Sequence, residues 1–169
     1  MSPHRLYLLI GGNMGDRAAL LREAVAMIGQ RIGQVAEHSQ LYETEPWGDF
    51  AEESPQPFLN QALLTLTPLP PYEALDAALE IEAYLGRKRG SGGGYASRPI
   101  DIDLIFYDQL VLDTPRLTLP HPRMHLRRFV LQPLCDIAPE LIHPVLNKTI
   151  SQLLAECTDP LSSKEVPLL

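Results

Sequence analysis

The chain has 169 residues, 45% hydrophobic and 21% charged, which suits one globular domain with its own core. Its formal net charge of −7, from 21 acidic and 14 basic residues, argues against a general polyanion-binding surface and so against a nucleic-acid partner. The longest apolar runs are too short for a signal peptide or a membrane span, so neither a secreted nor a membrane protein is expected.

In chain order, Arg5 to Ile10 reads as a buried first strand, followed by GGNMGD. Asp16 is placed to cap a helix whose apolar stripe is Leu20, Leu21, Val25, Met27 and Ile28, ending at Gly33. Val35 to Glu43 alternates loosely and predicts a second strand. TEPWGDFAEESPQP is a loop rich in Pro, Gly and acid, and FLNQALLTLT a third strand. LPPYEALDAALEIEAYLG predicts a helix with Pro71 in its first turn, Leu75, Leu79, Ile81 and Leu85 for burial, and Gly86 as its stop.

A basic, glycine-rich loop, RKRGSGGGYAS, then leads into the strand RPIDIDLIFYD. LVLDTPRLTLPHP continues as a hairpin. RRFVLQPLCDIAP predicts a helix broken near Pro133 or ended by Pro139, and Asn147 to Cys157 a last amphipathic helix. The chain is read as one domain over 1–169, with a loosely held tail from about residue 160. Strands and helices in mixed order, with at least one hairpin, favour an α+β sandwich of helices on an antiparallel or mixed sheet. Cys135 and Cys157 lie far apart without C-x-x-C spacing, which reads as two structural thiols in a reducing, cytoplasmic setting.

Asp101 and Asp103 are the first chemical signal. In a strand, residues i and i+2 share a face, so these carboxylates project together from a β-branched, apolar run. Like charges held together and desolvated are costly unless a cation joins them, and Mg²⁺, a hard ion that prefers oxygen, is the natural candidate. The alternative is two solvated residues at the strand's entrance. Arginines supply the second signal: Arg87, Lys88, Arg89 and Arg98 fall within twelve positions, and Arg116, Arg123, Arg127 and Arg128 within thirteen. Two local basic clusters on an acidic protein suit a small anionic ligand, and arginines beside a metal-binding pair suit phosphoryl transfer.

The glycines at 90 and 92–94 allow the first cluster's loop to close over a ligand, or serve only as a spacer. His121 stands between two prolines, either as an exposed loop residue or as a donor to a phosphate oxygen. Asn60 lies among apolar neighbours in a strand, where a buried amide needs partners such as a heterocycle's hydrogen-bonding edge. Trp47, Phe58 and Phe129 are the aromatics best placed to line a site. GGNMGD fits neither G-x-G-x-x-G nor a Walker loop, and is read as a tight turn with helix capping.

In their order and spacing, IGGNMGDR, YETEPWG, FLNQAL, EIEAYLGRKR, RPIDIDLIFYD and LPHPRMHLRRFVLQPLCDIAPEL resemble the 6-hydroxymethyl-7,8-dihydropterin pyrophosphokinase family, from about residue 7 to 142. The resemblance implies a ferredoxin-like α+β fold, a monomer, and transfer of the β,γ-pyrophosphoryl group of ATP to the pterin's hydroxymethyl oxygen, in folate biosynthesis. On this sequence it implies that Asp101 and Asp103 hold two Mg²⁺ ions. It implies a pterin pocket of Thr44, Glu45, Trp47, Phe58, Asn60, Asp101 and Phe129, with Phe58 and Phe129 as sandwiching rings. Arg87, Arg89 and Arg98 would act in catalysis. ATP would meet Glu82, Tyr95, Arg98, Leu104, Arg116, Thr118, His121 and Arg127.

The chain departs from the family's pattern at GGN, where GSN is usual, and at Tyr95-Ala96-Ser97-Arg98, where Trp-Gly-Pro-Arg is often found. A Mg²⁺-dependent nucleotidyltransferase and a non-catalytic ligand-binding domain are the competing functions; the pterin-pocket residues argue against the former.

Overall fold

The computed structural model describes residues 2–45, 56–86 and 99–167. Strand β1 (His4–Gly12) is apolar on both faces and lies inside a six-stranded sheet, between β4 (Phe58–Thr67) and β5 (Asp101–Tyr107). The strand predicted over 35–43 is divided into β2 (Gln34–His38) and β3 (Leu41–Thr44), which pair with successive stretches of β4. Ser39 makes the break: its hydroxyl donates to the Gln40 carbonyl and accepts the Ala62 N–H, replacing ladder bonds with side-chain bonds. The sheet runs β5-β1-β4-β3-β8, all pairs antiparallel, with β8 (Ser163–Val166) at the far edge.

The expected loose tail is therefore corrected in part. Its residues Ser163–Val166 are hydrogen-bonded to β3, and the segment leading there is tied to a helix start. That helix is α3 (Arg128–Ile137): the Arg128 N–H donates to Asp159 Oδ2 at 3.1 Å, and the Arg128 guanidinium donates to the carbonyls of Cys157 and Asp159. A local polar sequence such as SKEV has little strand propensity; an open neighbouring edge and this anchor supply what it lacks.

Helix α1 (Arg17–Arg31) is capped by Asp16, whose carboxylate accepts the Ala19 N–H, as the sequence predicts. In α2 (Pro71–Tyr84), Ala74, Ala78, Ile81 and Glu82 are buried, so the stripe lies one position round from the predicted leucines 75 and 79, which flank it. Gly86, at φ +101°, ends it, in a conformation that costs a residue with a Cβ more. Strands β6 (Leu112–Asp113) and β7 (Thr118–Leu119) form the predicted hairpin. In α3, Pro133 lies inside the helix without breaking it, and the helix stops at Ile137, ahead of Pro139. Helix α4 (Ile150–Glu156) opens with a capping box between Thr149 and Gln152, worth ~1 kcal/mol.

Alternation along the strands sorts the core into two layers. Leu6, Leu8, Ile10, Leu63, Ile102 and Leu104 pack under α1 and α2; Tyr7, Leu9, Ala62, Leu64 and Phe106 pack under α3 and α4. The result is the expected α+β sandwich of helices on an antiparallel sheet.

Candidate active site

Asp101 and Asp103 open β5 on one face of it, because Ile102 and Leu104 between and beside them are buried in the opposite layer. The carboxylates stand on the α3 side, opposite Gly11 and Leu9 of β1. Both are half-buried. Strand β5 lies at the edge of the sheet, and the buried Glu82 of α2 covers that edge. Its Oε2 accepts the Ile102 N–H at 2.7 Å, between the two aspartates.

The register extends this position across the whole sheet. Glu165, Tyr42, Asn60, Gly11 and Asp101 stand opposite one another in turn, from β8 to β5. Gly11 permits this row: a Cβ there would lie 2.1 Å from Asn60 Oδ1, so only glycine lets the buried amide lie across β1. Tyr42 is fixed on the same side, its hydroxyl donating to the Asp136 carboxylate of α3 at 2.8 Å. Burial and that carboxylate push the Tyr42 phenol well above its ordinary value, so it stays protonated as a donor. One step along, Ser163, Thr44 and Phe58 form a parallel row on this face. Phe129 of α3 packs on the layer from above, with the Arg127 guanidinium 5.7 Å from its ring centre.

On the β5 side, His121 is docked to the strand's outer edge by its N–H, which donates to the Ile105 carbonyl at 2.9 Å. Its Nδ1 accepts the Arg123 N–H at 3.3 Å, which leaves Nε2 as the ring's N–H donor. Burial first, and then Arg127 and Arg123, hold this imidazole below its ordinary value, against the opposing pull of Asp101. His121, Arg127 and Asp101 thus share one electrostatic neighbourhood. Arg116 is drawn to Asp76 of α2 in an ion pair and lies over the Tyr72 ring at 4.8 Å. Thr118 is half-buried in β7, and Leu104 packs its side chain into the core, leaving its backbone as the part that could meet a ligand.

The model of the 7,8-dihydro-6-hydroxymethylpterin-pyrophosphokinase (HPPK) family matches residues 7–139. The chain belongs to this family. It is 45% identical over 141 residues to a 2-amino-4-hydroxy-6-hydroxymethyldihydropteridine pyrophosphokinase of Porphyromonas gingivalis, covering 82% of this chain and 93% of that one. It is 40% identical to the Methylorubrum extorquens protein of that name, over 90% and 92% of the two chains. The fold resembles that of an HPPK-DHPS crystallised in complex with substrates, at a TM-score of 0.73 and 14% identity, covering 92% of this chain and 43% of that longer one. A Plasmodium falciparum HPPK-DHPS with pteroate gives a TM-score of 0.72 at 17% identity, over 92% and 43%. The chain spans less than half the length of these two-part proteins.

The chain is an enzyme, a pyrophosphokinase. Asp101, Asp103, Asn60, Phe58, Thr44 and Phe129 meet on the α3 side of the sheet, and His121 and Arg127 on the electrostatic flank of Asp101. Arg116 pairs with Asp76 of α2, and Glu82 Oε2 accepts from the backbone of β5. Glu45 follows β3 at an exposed position. Trp47, Arg87, Arg89, Tyr95 and Arg98 lie outside the described residues. The turn expected over GGNMGD is shorter than its sequence suggests: Gly11 and Gly12 belong to β1, and the chain leaves the strand at Asn13. The available signal was a glycine pair continuing an apolar strand run, which marks a close approach.

Among the described residues no group of three or more His, Cys, Asp and Glu is arranged to hold a metal. Two same-face carboxylates nevertheless fit Mg²⁺, which takes one or two protein carboxylates and completes its shell with water and substrate phosphates.

Proposed function

We propose that this enzyme transfers the β,γ-pyrophosphoryl group of ATP to the hydroxymethyl oxygen of 6-hydroxymethyl-7,8-dihydropterin, releasing AMP, as a step of folate biosynthesis. The observation that carries the reading is the row Asn60–Gly11–Asp101, which sets a buried amide and the carboxylate pair on one face, two strands apart. The names of its relatives support the pterin as substrate.

Asn60 and Thr44 would read the heterocycle's polar edge, and Phe58 and Phe129 would hold its flat faces. Asp101 and Asp103 would hold Mg²⁺, which when bound supplies positive charge to the phosphate oxygens and orients them. His121, as a neutral Nε2–H donor, and Arg127 would bind phosphate oxygens from the flank. The hydroxymethyl oxygen attacks the β-phosphorus, and the bond from that phosphorus to the α,β-bridging oxygen breaks. AMP departs and the hydroxyl proton passes to solvent. Fixed donors aimed at charge that spreads over the phosphate oxygens account for most of the rate in such reactions. The site's natural setting is the cytoplasm and its working unit the monomer.

The test is a product assay with Mg-ATP and 6-hydroxymethyl-7,8-dihydropterin that resolves AMP, ADP and free pyrophosphate. AMP in step with pterin diphosphate, absent when Mg²⁺ is chelated, is the expected result. An adenylated acceptor with free pyrophosphate, or ADP alone, would replace this reading.

A further inference from the structure

Two buried hydroxyls stand in the row that Phe58 opens on the α3 face of the sheet. Thr44 Oγ1 and Ser163 Oγ are both shielded from solvent, and neither has a hydrogen-bond partner among the described residues. They face each other across the β3–β8 ladder, where side chains directly opposite have Cβ atoms about 5 Å apart.

Their face is settled by three contacts. Tyr42, two residues before Thr44, reaches Asp136 on α3, so Thr44 points to the α3 side. Val166, three residues after Ser163, packs in the opposite layer, so Ser163 points to the α3 side as well. Phe58, opposite Thr44 on β4, completes the row. The segment that delivers Ser163 is itself pinned beside Phe129, since Asp159 accepts the Arg128 N–H and also the Leu161 N–H at 3.0 Å. An unpartnered buried hydroxyl is costly, and a ligand's polar group is one partner that satisfies it.

We propose that Ser163, on the C-terminal strand, is a further substrate-binding residue: its Oγ and Thr44 Oγ1 form a pair of hydroxyls that hydrogen-bond the polar edge of the heterocycle lying against Phe58. A hydroxyl both donates and accepts, so two of them match an edge that alternates amino and carbonyl or ring-nitrogen groups, and discriminate against a ring lacking that edge. This inference rests on the pterin reading above.

The experiment compares the parent enzyme with Ser163→Ala and Ser163→Thr, measuring kcat, KM for each substrate, pterin affinity by titration, and the thermal midpoint. Ser163→Ala should weaken pterin affinity about five-fold while KM for ATP stays within about two-fold, as expected for one hydrogen bond. Ser163→Thr, which keeps the hydroxyl, should restore most of the loss. Unchanged pterin affinity in Ser163→Ala overturns the assignment, and so does an equal loss for both substrates with a lowered midpoint, which marks a loosened strand. A parent enzyme that neither binds nor converts the pterin overturns the functional reading itself, and this inference with it.

Discussion

Gly11 and Asn60 face each other across the β1–β4 ladder so closely that the Asn60 side-chain oxygen lies 2.1 Å from where a Gly11 Cβ would be. The strand's missing side chain makes room for the buried amide beside Asp101. Gly11→Ala should therefore push Asn60 out of place, lowering stability by about 1–3 kcal/mol through overpacking. Pterin affinity should fall much further than nucleotide affinity. Denaturant melts and separate titrations of the two ligands check this; equal losses would mean that Asn60 does not read the pterin.

Asp101 and Asp103 share the α3-side face at the start of β5. Asp101→Asn and Asp103→Asn should each lower kcat by roughly 100-fold or more, since preorganised electrostatics supply most of the rate. The thermal midpoint should stay close to the parent's, which separates a loss of chemistry from a loss of fold. Activity within a few-fold of the parent, in a folded variant, would remove the pair from the mechanism.

Glu82 is buried at the edge of β5, accepting the Ile102 N–H between the two aspartates. Glu82→Ala strands that N–H in the core at a cost of about 1–3 kcal/mol. It should also lower kcat by displacing the strand that carries Asp101 and Asp103. Glu82→Gln retains an acceptor oxygen and should recover much of both effects. If Glu82→Gln instead raises KM for ATP with stability unchanged, the carboxylate's work is done on the nucleotide.

His143 offers a pH test away from the site. Its Nδ1 accepts the N–H groups of Val145 and Leu146 at 3.2 and 3.0 Å, a role open only to the neutral ring. Burial, and then the nearby His125, hold its folded-state value below the ordinary one. The folded state then binds fewer protons than the unfolded state, so the His143 contribution is present above about pH 6.5 and lost as pH falls through the lowered value. One such group gives a slope of at most ~1.4 kcal/mol per pH unit. Denaturant unfolding between pH 7 and 5 should show stability falling, with a shallower slope in His143→Gln. Identical slopes would assign the pH dependence to other groups.

Much of the fold was legible because it is written in local periods. The run in β4 matches its predicted strand, residues 58–67, and Asp16 caps α1 as expected. In α2 the expected Ile81 is fully buried and Leu75 and Leu85 pack at the core's margin, but the centre of the stripe is Ala74 and Ala78, because close helix packing on the sheet favours small residues that hydrophobicity ranks below leucine.

The sequence by itself determined that Asp101 and Asp103 share a face, since a strand's two-residue period is enough for that. It also determined the family, through the order and spacing of its motifs. Only the tertiary structure decided that Gly11 lies between Asn60 and Asp101, and that Ser163 stands opposite Thr44. Those relationships are strand registers between segments far apart in the chain. Register is set by which buried faces and edges meet once the whole sheet assembles, and no local period encodes it.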